Sequence, residues 1–172
     1  MKTLMLTSKH LDLSNVSKDV RNEINRAKRE DMAFKEITRE EHEKHLRQYR
    51  KRKNLLMPPF SLSVQRTFYG VYTRDGKYCC SLGLYPLDGF LHIQGTSISE
   101  DCPYYAFSFL IYTCLELSLS AGTNGLDLVG KGEWKMKWNP KEGTNSLKQG
   151  KSLTGGKISS ILAKIYWKLM KL

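Results

Sequence analysis

Asp127 stands in a short apolar run, Gly125-Leu-Asp-Leu-Val-Gly130, and a basic, aromatic segment, Gly132-Glu-Trp-Lys-Met-Lys137-Trp-Asn139, follows at once. An unpaired carboxylate between leucines is costly to bury. Asp127 is therefore a proton acceptor, an orienting group, or half of a structural pair with an Arg or Lys. Lys135 and Lys137 supply ammonium groups able to meet negative charge developing on an oxygen, or a phosphate. Glu116, the only charge in a long apolar segment, has the same status as Asp127 with weaker support. His92 alternates with Leu91 and Ile93 and so faces away from them, which reads as a satisfied or exposed histidine. Trp134, Trp138, Tyr104 and Tyr105 can stack bases or anchor a core. Arg21, Arg26 and Arg29, with the basic run from Arg47 through Arg50, Lys51 and Arg52 to Lys53, form the best phosphate-contacting surface.

These groups need elements to position them. Val16, Val20, Ile24 and Ala27 recur as one helical stripe after a cap at Ser14 or Ser17, giving a first helix to about Asp31. A short strand is expected over residues 34–37. Thr38 with Glu41 three residues on has the capping-box pattern and opens a second helix ending in the basic run. Met57-Pro-Pro-Phe60 breaks the chain. Residues 67–73 and 78–85 flank Asp75-Gly76, a hairpin signal, and residues 90–97 follow a turn at Asp88-Gly89, so three antiparallel strands are expected. A helix apolar on nearly every face runs from Pro103 to Ala121 and ends at Gly122. The strand over residues 125–129 then lies parallel to a neighbour, because a helix has carried the chain back. Residues 157–172 read as a basic amphipathic helix, packed on the sheet or lying on a membrane surface. The order implies a mixed α/β (α+β) fold with helices on both faces of a central sheet.

The 172 residues suit one domain with one sizeable core, spanning residues 1–172. Hydrophobic content of 40% with 26% charged residues excludes a disordered chain. No apolar run reaches the roughly 18 residues of a membrane span, and the first seven residues lack the features of a secretory signal, so a cytoplasmic location is expected. Cys79, Cys80, Cys102 and Cys114 have no metal-ligand spacing and read as free, mostly buried thiols, so no metal is expected. There is no P-loop, no dinucleotide fingerprint, and no Ser-His-Asp or Cys-His set. The net charge of +11 is uneven: residues 1–53 carry 15 basic and 9 acidic residues, residues 54–130 carry 3 and 6, and residues 131–172 carry 10 and 2. Basic ends around an acidic middle fit a polyanionic partner, RNA or an acidic membrane surface, as well as simple solubility.

The chain resembles acyltransferases of the GNAT fold, and within them the Fem-type branch that draws its acyl group from aminoacyl-tRNA. The resemblance is carried by Val20-Arg-Asn-Glu-Ile-Asn-Arg-Ala-Lys-Arg29, the Asp75-Gly76 hairpin, the strand end Gly95-Thr-Ser97, Leu126-Asp-Leu-Val-Gly130, and Gly132-Glu-Trp-Lys-Met-Lys137. It implies a sheet that splays beside the strand over residues 90–97 to make the donor cleft. Gly95, Thr96, Ser97, Gly130, Trp134 and Lys135 would then bind donor or substrate. Lys137 would polarise the carbonyl, with Lys135 taking that place if the register is shifted by two. Asp127, or the substrate itself, would handle the proton. Three departures stand out: room for one such domain rather than two, Val129-Gly130 where a glycine pair is usual, and Ser97-Ile-Ser-Glu-Asp-Cys-Pro103 where acyl-CoA enzymes carry a basic glycine-rich loop. Glu100 and Asp101 there would satisfy the helix dipole and repel a pyrophosphate.

The resulting expectation is an N-acyltransferase that moves an acyl or aminoacyl group to an amine acceptor, with aminoacyl-tRNA as donor and no tightly bound cofactor. Two alternatives stand beside it: an enzyme using acyl-CoA or an acyl carrier protein, and a non-catalytic RNA- or membrane-binding module on the same fold. A second copy of the chain, completing the cleft as a homodimer, is a candidate partner.

Overall fold

The computed structural model describes residues 2–56, 65–129 and 132–144, so the proline pair at 58–59, Gly130 and the amphipathic segment 157–172 lie outside the described residues. Seven strands form one sheet in the order β2-β3-β4-β5-β6-β1-β7. Their ranges are β1 (Lys2–Leu6), β2 (Ala33–Ile37), β3 (Thr67–Tyr72), β4 (Tyr78–Leu87), β5 (Phe90–Ile98), β6 (Leu126–Asp127) and β7 (Lys141–Thr144). Every pairing is antiparallel except β5 with β6. The mixed α/β class expected from the sequence is the one found.

Helix α1 (Lys18–Arg29) starts where Ser17 accepts the Val20 amide, and it buries Val20, Ile24 and Ala27. Helix α2 (Arg39–Arg52) starts at Thr38, whose hydroxyl accepts the Glu41 amide at 3.1 Å. Helix α3 (Ala106–Ser120) fills the large core with α1, β3, β4 and β6. Its Leu110, Ile111 and Leu115 are fully buried, each contributing about 2 kcal/mol of apolar burial. On the opposite face α2 packs through His42, which stacks on Phe68 and bonds Ser81 of β4.

The structure revises four sequence expectations. Residues 2–6 form an inner strand, β1, between β6 and β7, where the sequence reading placed no element. The strand over residues 125–129 contracts to Leu126–Asp127. Residues 133–136, to which the sequence reading gave no element, coil into one helical turn, α4 (Glu133–Met136). Helix α3 begins at Ala106 rather than Pro103, because Pro103 and Tyr104 first make a turn closed by the Ala106 amide on the Pro103 carbonyl. Gly125, at φ +140°, allows β1 and β6 to meet: a Cβ there would lie 1.9 Å from the Leu6 carbonyl oxygen.

Candidate active site at the fork between β5 and β6

β5 and β6 share two register pairs, Leu91 with Leu126 and His92 with Asp127. Beyond Asp127 the two strands part, and the second half of β5 is open on that side. A bulge shapes this half. Gly95 and Thr96 together face the single Leu82 of β4, and Gly95 takes the left-handed φ of +69° that a bulge residue needs.

Two adjoining cavities of about 440 Å³ each lie along the open edge and share Tyr49 and Ile98. The first is lined by Thr96 of β5, Cys102, Tyr104 and Phe107 at the start of α3, and Trp134 of α4. Phe107 and Trp134 meet edge to face at 5.0 Å. The second is polar, with Arg52, Lys53, Ser99 and Glu100. Arg52 is fixed there by a 2.6 Å bond to the Ile98 carbonyl and a position over the Tyr49 ring. An aromatic chamber thus adjoins one that carries two cations and one carboxylate, an arrangement able to take a base or acyl group beside a phosphate.

At the fork itself sits a buried polar group. Asp127 is fully buried; its Oδ1 accepts from the Thr3 hydroxyl and, at 2.7 Å, from the Val129 amide. Its Oδ2 lies 3.1 Å from Nδ1 of the equally buried His92, close but poorly aligned as a hydrogen bond. His92 Nε2 donates to the Leu87 carbonyl at 2.9 Å, a bond that fixes the tautomer and the ring. Lys135 is buried as well. Its Nζ donates to the Leu128 carbonyl at 2.6 Å and to the Val129 carbonyl. Burial lowers the Lys135 pKa below the ordinary lysine range, and the Asp127 carboxylate opposes that shift. Between the two ionisable groups Val129 holds φ +50°, a sterically costly conformation for a β-branched residue.

The N-terminal segment ties α4 over the fork. His10 is fully buried, takes the Thr7 amide on Nδ1 and donates from Nε2 to the Asn139 carbonyl. The Ser17 amide donates to the Lys137 carbonyl at 2.9 Å.

Of the residues singled out in the sequence, Thr96 and Trp134 line the aromatic cavity; Lys135 lines neither cavity, but its Nζ lies 5.4 Å from the Trp134 ring, and Asp127 is buried at the fork. Gly95 serves through the bulge. Ser97 points to the other face and is buried there, where its carbonyl faces Tyr78. Lys137 is exposed and lies 3.6 Å from Asp19 of α1. Gly130 is outside the described residues. Arg52 lines the basic chamber, while Arg50 is spent on the Leu56 carbonyl at 2.7 Å. Arg26 pairs with Glu30 at 2.9 Å and bonds the Tyr104 hydroxyl on the rim. Arg21, Arg29 and Lys51 line neither cavity. Glu100 and Asp101 stand clear of the first turn of α3, which has no acidic residue and no side-chain cap, and Asp101 pairs with Lys77 at 3.0 Å. Neither carboxylate lies in that first turn, while Glu100 lines the second cavity. Sequence reasoning missed Tyr49, Thr3 and the engagement of His92; only the cost of burying Asp127 signalled that a partner had to exist.

No family model and no curated protein sequence matches this chain. Solved structures do resemble it. The C-terminal domain of a "putative lysylphosphatidylglycerol synthetase" from Agrobacterium fabrum superposes with a TM-score of 0.66 at 14% identity, covering 98% of this chain and 64% of that one. The structure of L-PGS from Bacillus licheniformis gives 0.58 at 14% identity over 82% of this chain and 57% of the other. The chain thus spans about three fifths of the length of these neighbours. At such identity the likeness establishes architecture, and that architecture is GNAT-like.

Proposed function

We propose that the chain is an aminoacyltransferase domain that takes an aminoacyl group from charged tRNA and passes it to a nucleophile presented at a lipid surface. The observation that carries the reading is the pair of adjoining cavities at the open edge of β5, which share Tyr49 and Ile98. The aromatic one accommodates the terminal base and aminoacyl ester, and the basic one, with Arg52 and Lys53, the phosphates behind them. Tyr104, Trp134 and Met136, the exposed large apolar side chains among the described residues, stand at or next to the cavity rim. That placement favours an acceptor carried by a lipid over a free one. The names of the structural neighbours point the same way.

Lys135 takes the part that the sequence offered first to Lys137. Its ammonium, dry and fixed by carbonyls, meets the negative charge that grows on the ester carbonyl oxygen as the acceptor attacks. The acceptor's oxygen or nitrogen forms the new bond to the carbonyl carbon. The ribose oxygen departs, and the proton lost by the acceptor is the one that oxygen requires. The domain's task is positioning and charge stabilisation, with no covalent enzyme intermediate.

The uncapped start of α3 beside the aromatic cavity supports a second reading, in which the phosphates of an acyl-CoA bind there. The test is transfer of radiolabelled amino acid from charged tRNA into vesicles of phosphatidylglycerol or into soluble primary amines. Label in the lipid fraction supports the proposal. Label in the amines alone moves the acceptor to the class expected from the sequence. Label in neither, with transfer from acetyl-CoA, removes the tRNA reading.

A further inference from the structure

Val129 poses a question the transfer chemistry leaves open: why a β-branched residue keeps a left-handed backbone at the mouth of the fork. Such strain persists only where the surroundings enforce it. Here both sides of the residue are held. Its amide is bonded to Asp127 Oδ1 at 2.7 Å, and its carbonyl accepts from Lys135 Nζ together with the Leu128 carbonyl. Asp127 is in turn fixed by Thr3 on β1 and faced by His92 on β5, with His92 locked by the Leu87 carbonyl. Three strands thus converge on one carboxylate, and that carboxylate sets the turn on which the lysine sits.

We propose that Asp127 is a positioning residue and not the base of the reaction. Held by Thr3, with His92 beside it, it clamps Val129 in the left-handed conformation, which turns the Leu128 and Val129 carbonyls onto Lys135 and fixes the ammonium at the fork. Both carboxylate oxygens face protein groups, and the side chain has no exposed surface from which to reach an acceptor. The inference rests on the placing of Lys135 in the proposed site, but the clamp can be observed without any turnover.

The two roles separate on substitution. Asp127→Asn keeps an oxygen for Thr3 and for the Val129 amide but cannot take a proton; Asp127→Ala removes the clamp. Glycine adopts the left-handed backbone unaided, so Asp127→Ala/Val129→Gly restores the turn without the carboxylate. Two readouts are taken: hydrogen exchange of the residue 129 amide by NMR, and labelled aminoacyl transfer from charged tRNA to phosphatidylglycerol vesicles.

The clamp predicts that Asp127→Asn keeps the amide protected and lowers turnover by no more than about tenfold, the part owed to the lost carboxylate charge that helps Lys135 keep its proton. Asp127→Ala exposes the amide and lowers kcat by about 100-fold, the effect of a small misplacement. The double variant recovers most of that loss in kcat. If instead Asp127→Asn keeps protection but abolishes transfer as completely as alanine does, Asp127 is the base and the proposal fails. An Asp127→Ala chain that stays protected at residue 129 also overturns it. Should Asp127→Ala fail to fold, Asp127→Asn with Val129→Gly alone decides between the outcomes, since both leave the buried partners of Asp127 satisfied. Absence of transfer in the unsubstituted protein removes the functional reading, whereas the exchange data still judge the clamp.

Discussion

Burial works to strip the proton from Lys135, while two backbone carbonyls and the Asp127 carboxylate hold it in place. A cation kept in a dry site by fixed dipoles needs no reorganisation when charge appears beside it. Lys135→Met keeps the apolar stem and removes the charge, and it should lower the rate of aminoacyl transfer about 100-fold while leaving donor affinity nearly unchanged. Lys137→Ala breaks an exposed 3.6 Å pair with Asp19, and such pairs contribute little, so transfer should stay within about twofold. Steady-state kinetics on the two variants checks both, and a loss confined to Lys137→Ala would reverse the assignment. The sequence reading put Lys137 first and kept Lys135 for a register shifted by two. On a strand, residues two apart share a face; on the single turn of α4 they lie on different sides. The choice hung on a helix of four residues with no pattern long enough to read.

The elements show the same division between local signals and distant ones. Both helix caps, the Asp75-Gly76 hairpin and the apolar α3 were legible because each is written within a few residues. β1 and β7 were not, because neither alternates strongly and their partners lie more than a hundred residues away. The fork was expected only through the family resemblance; its physical cause is the shortness of β6, whose pairing with β5 stops at Asp127. Gly125 is where the far ends of the chain close on each other. Gly125→Ala places a Cβ 1.9 Å from the Leu6 carbonyl oxygen, and the strand pair must open to admit it. The expected cost is at least about 3 kcal/mol, the upper end for enforced backbone strain, and it would appear as a lower urea midpoint. Gly76→Ala at the hairpin, also left-handed but with nothing within 4 Å, should cost only about 1 kcal/mol. Equal losses at the two glycines would mean that the β1–β6 closure adds nothing.

Across the whole molecule, α2 is the element that joins stability to the site, since one of its ends buries His42 and the other supplies Tyr49, Arg52 and Lys53 to the cavities. Burial depresses the His42 pKa to about 4 from 6.5. The unfolded chain therefore takes up a proton below pH 6.5 that the folded chain refuses until about pH 4. Folding stability should fall as pH drops through that window, by up to about 3 kcal/mol. Urea denaturation at pH 7.5 and pH 5 should show the fall, and His42→Leu should flatten it; an unchanged slope would place the acid sensitivity elsewhere. No helix among the described residues is long and apolar enough to cross a membrane. In the proposed reading the two adjoining cavities hold the end of a charged tRNA. That placement is tested most directly by measuring binding of charged tRNA, uncharged tRNA and acetyl-CoA side by side at near-physiological salt. Charged tRNA should bind at least about tenfold tighter than uncharged, with Arg52→Ala weakening both and flattening their salt dependence. Saturable acetyl-CoA binding, with RNA binding that ignores the aminoacyl group and vanishes with salt, would contradict it.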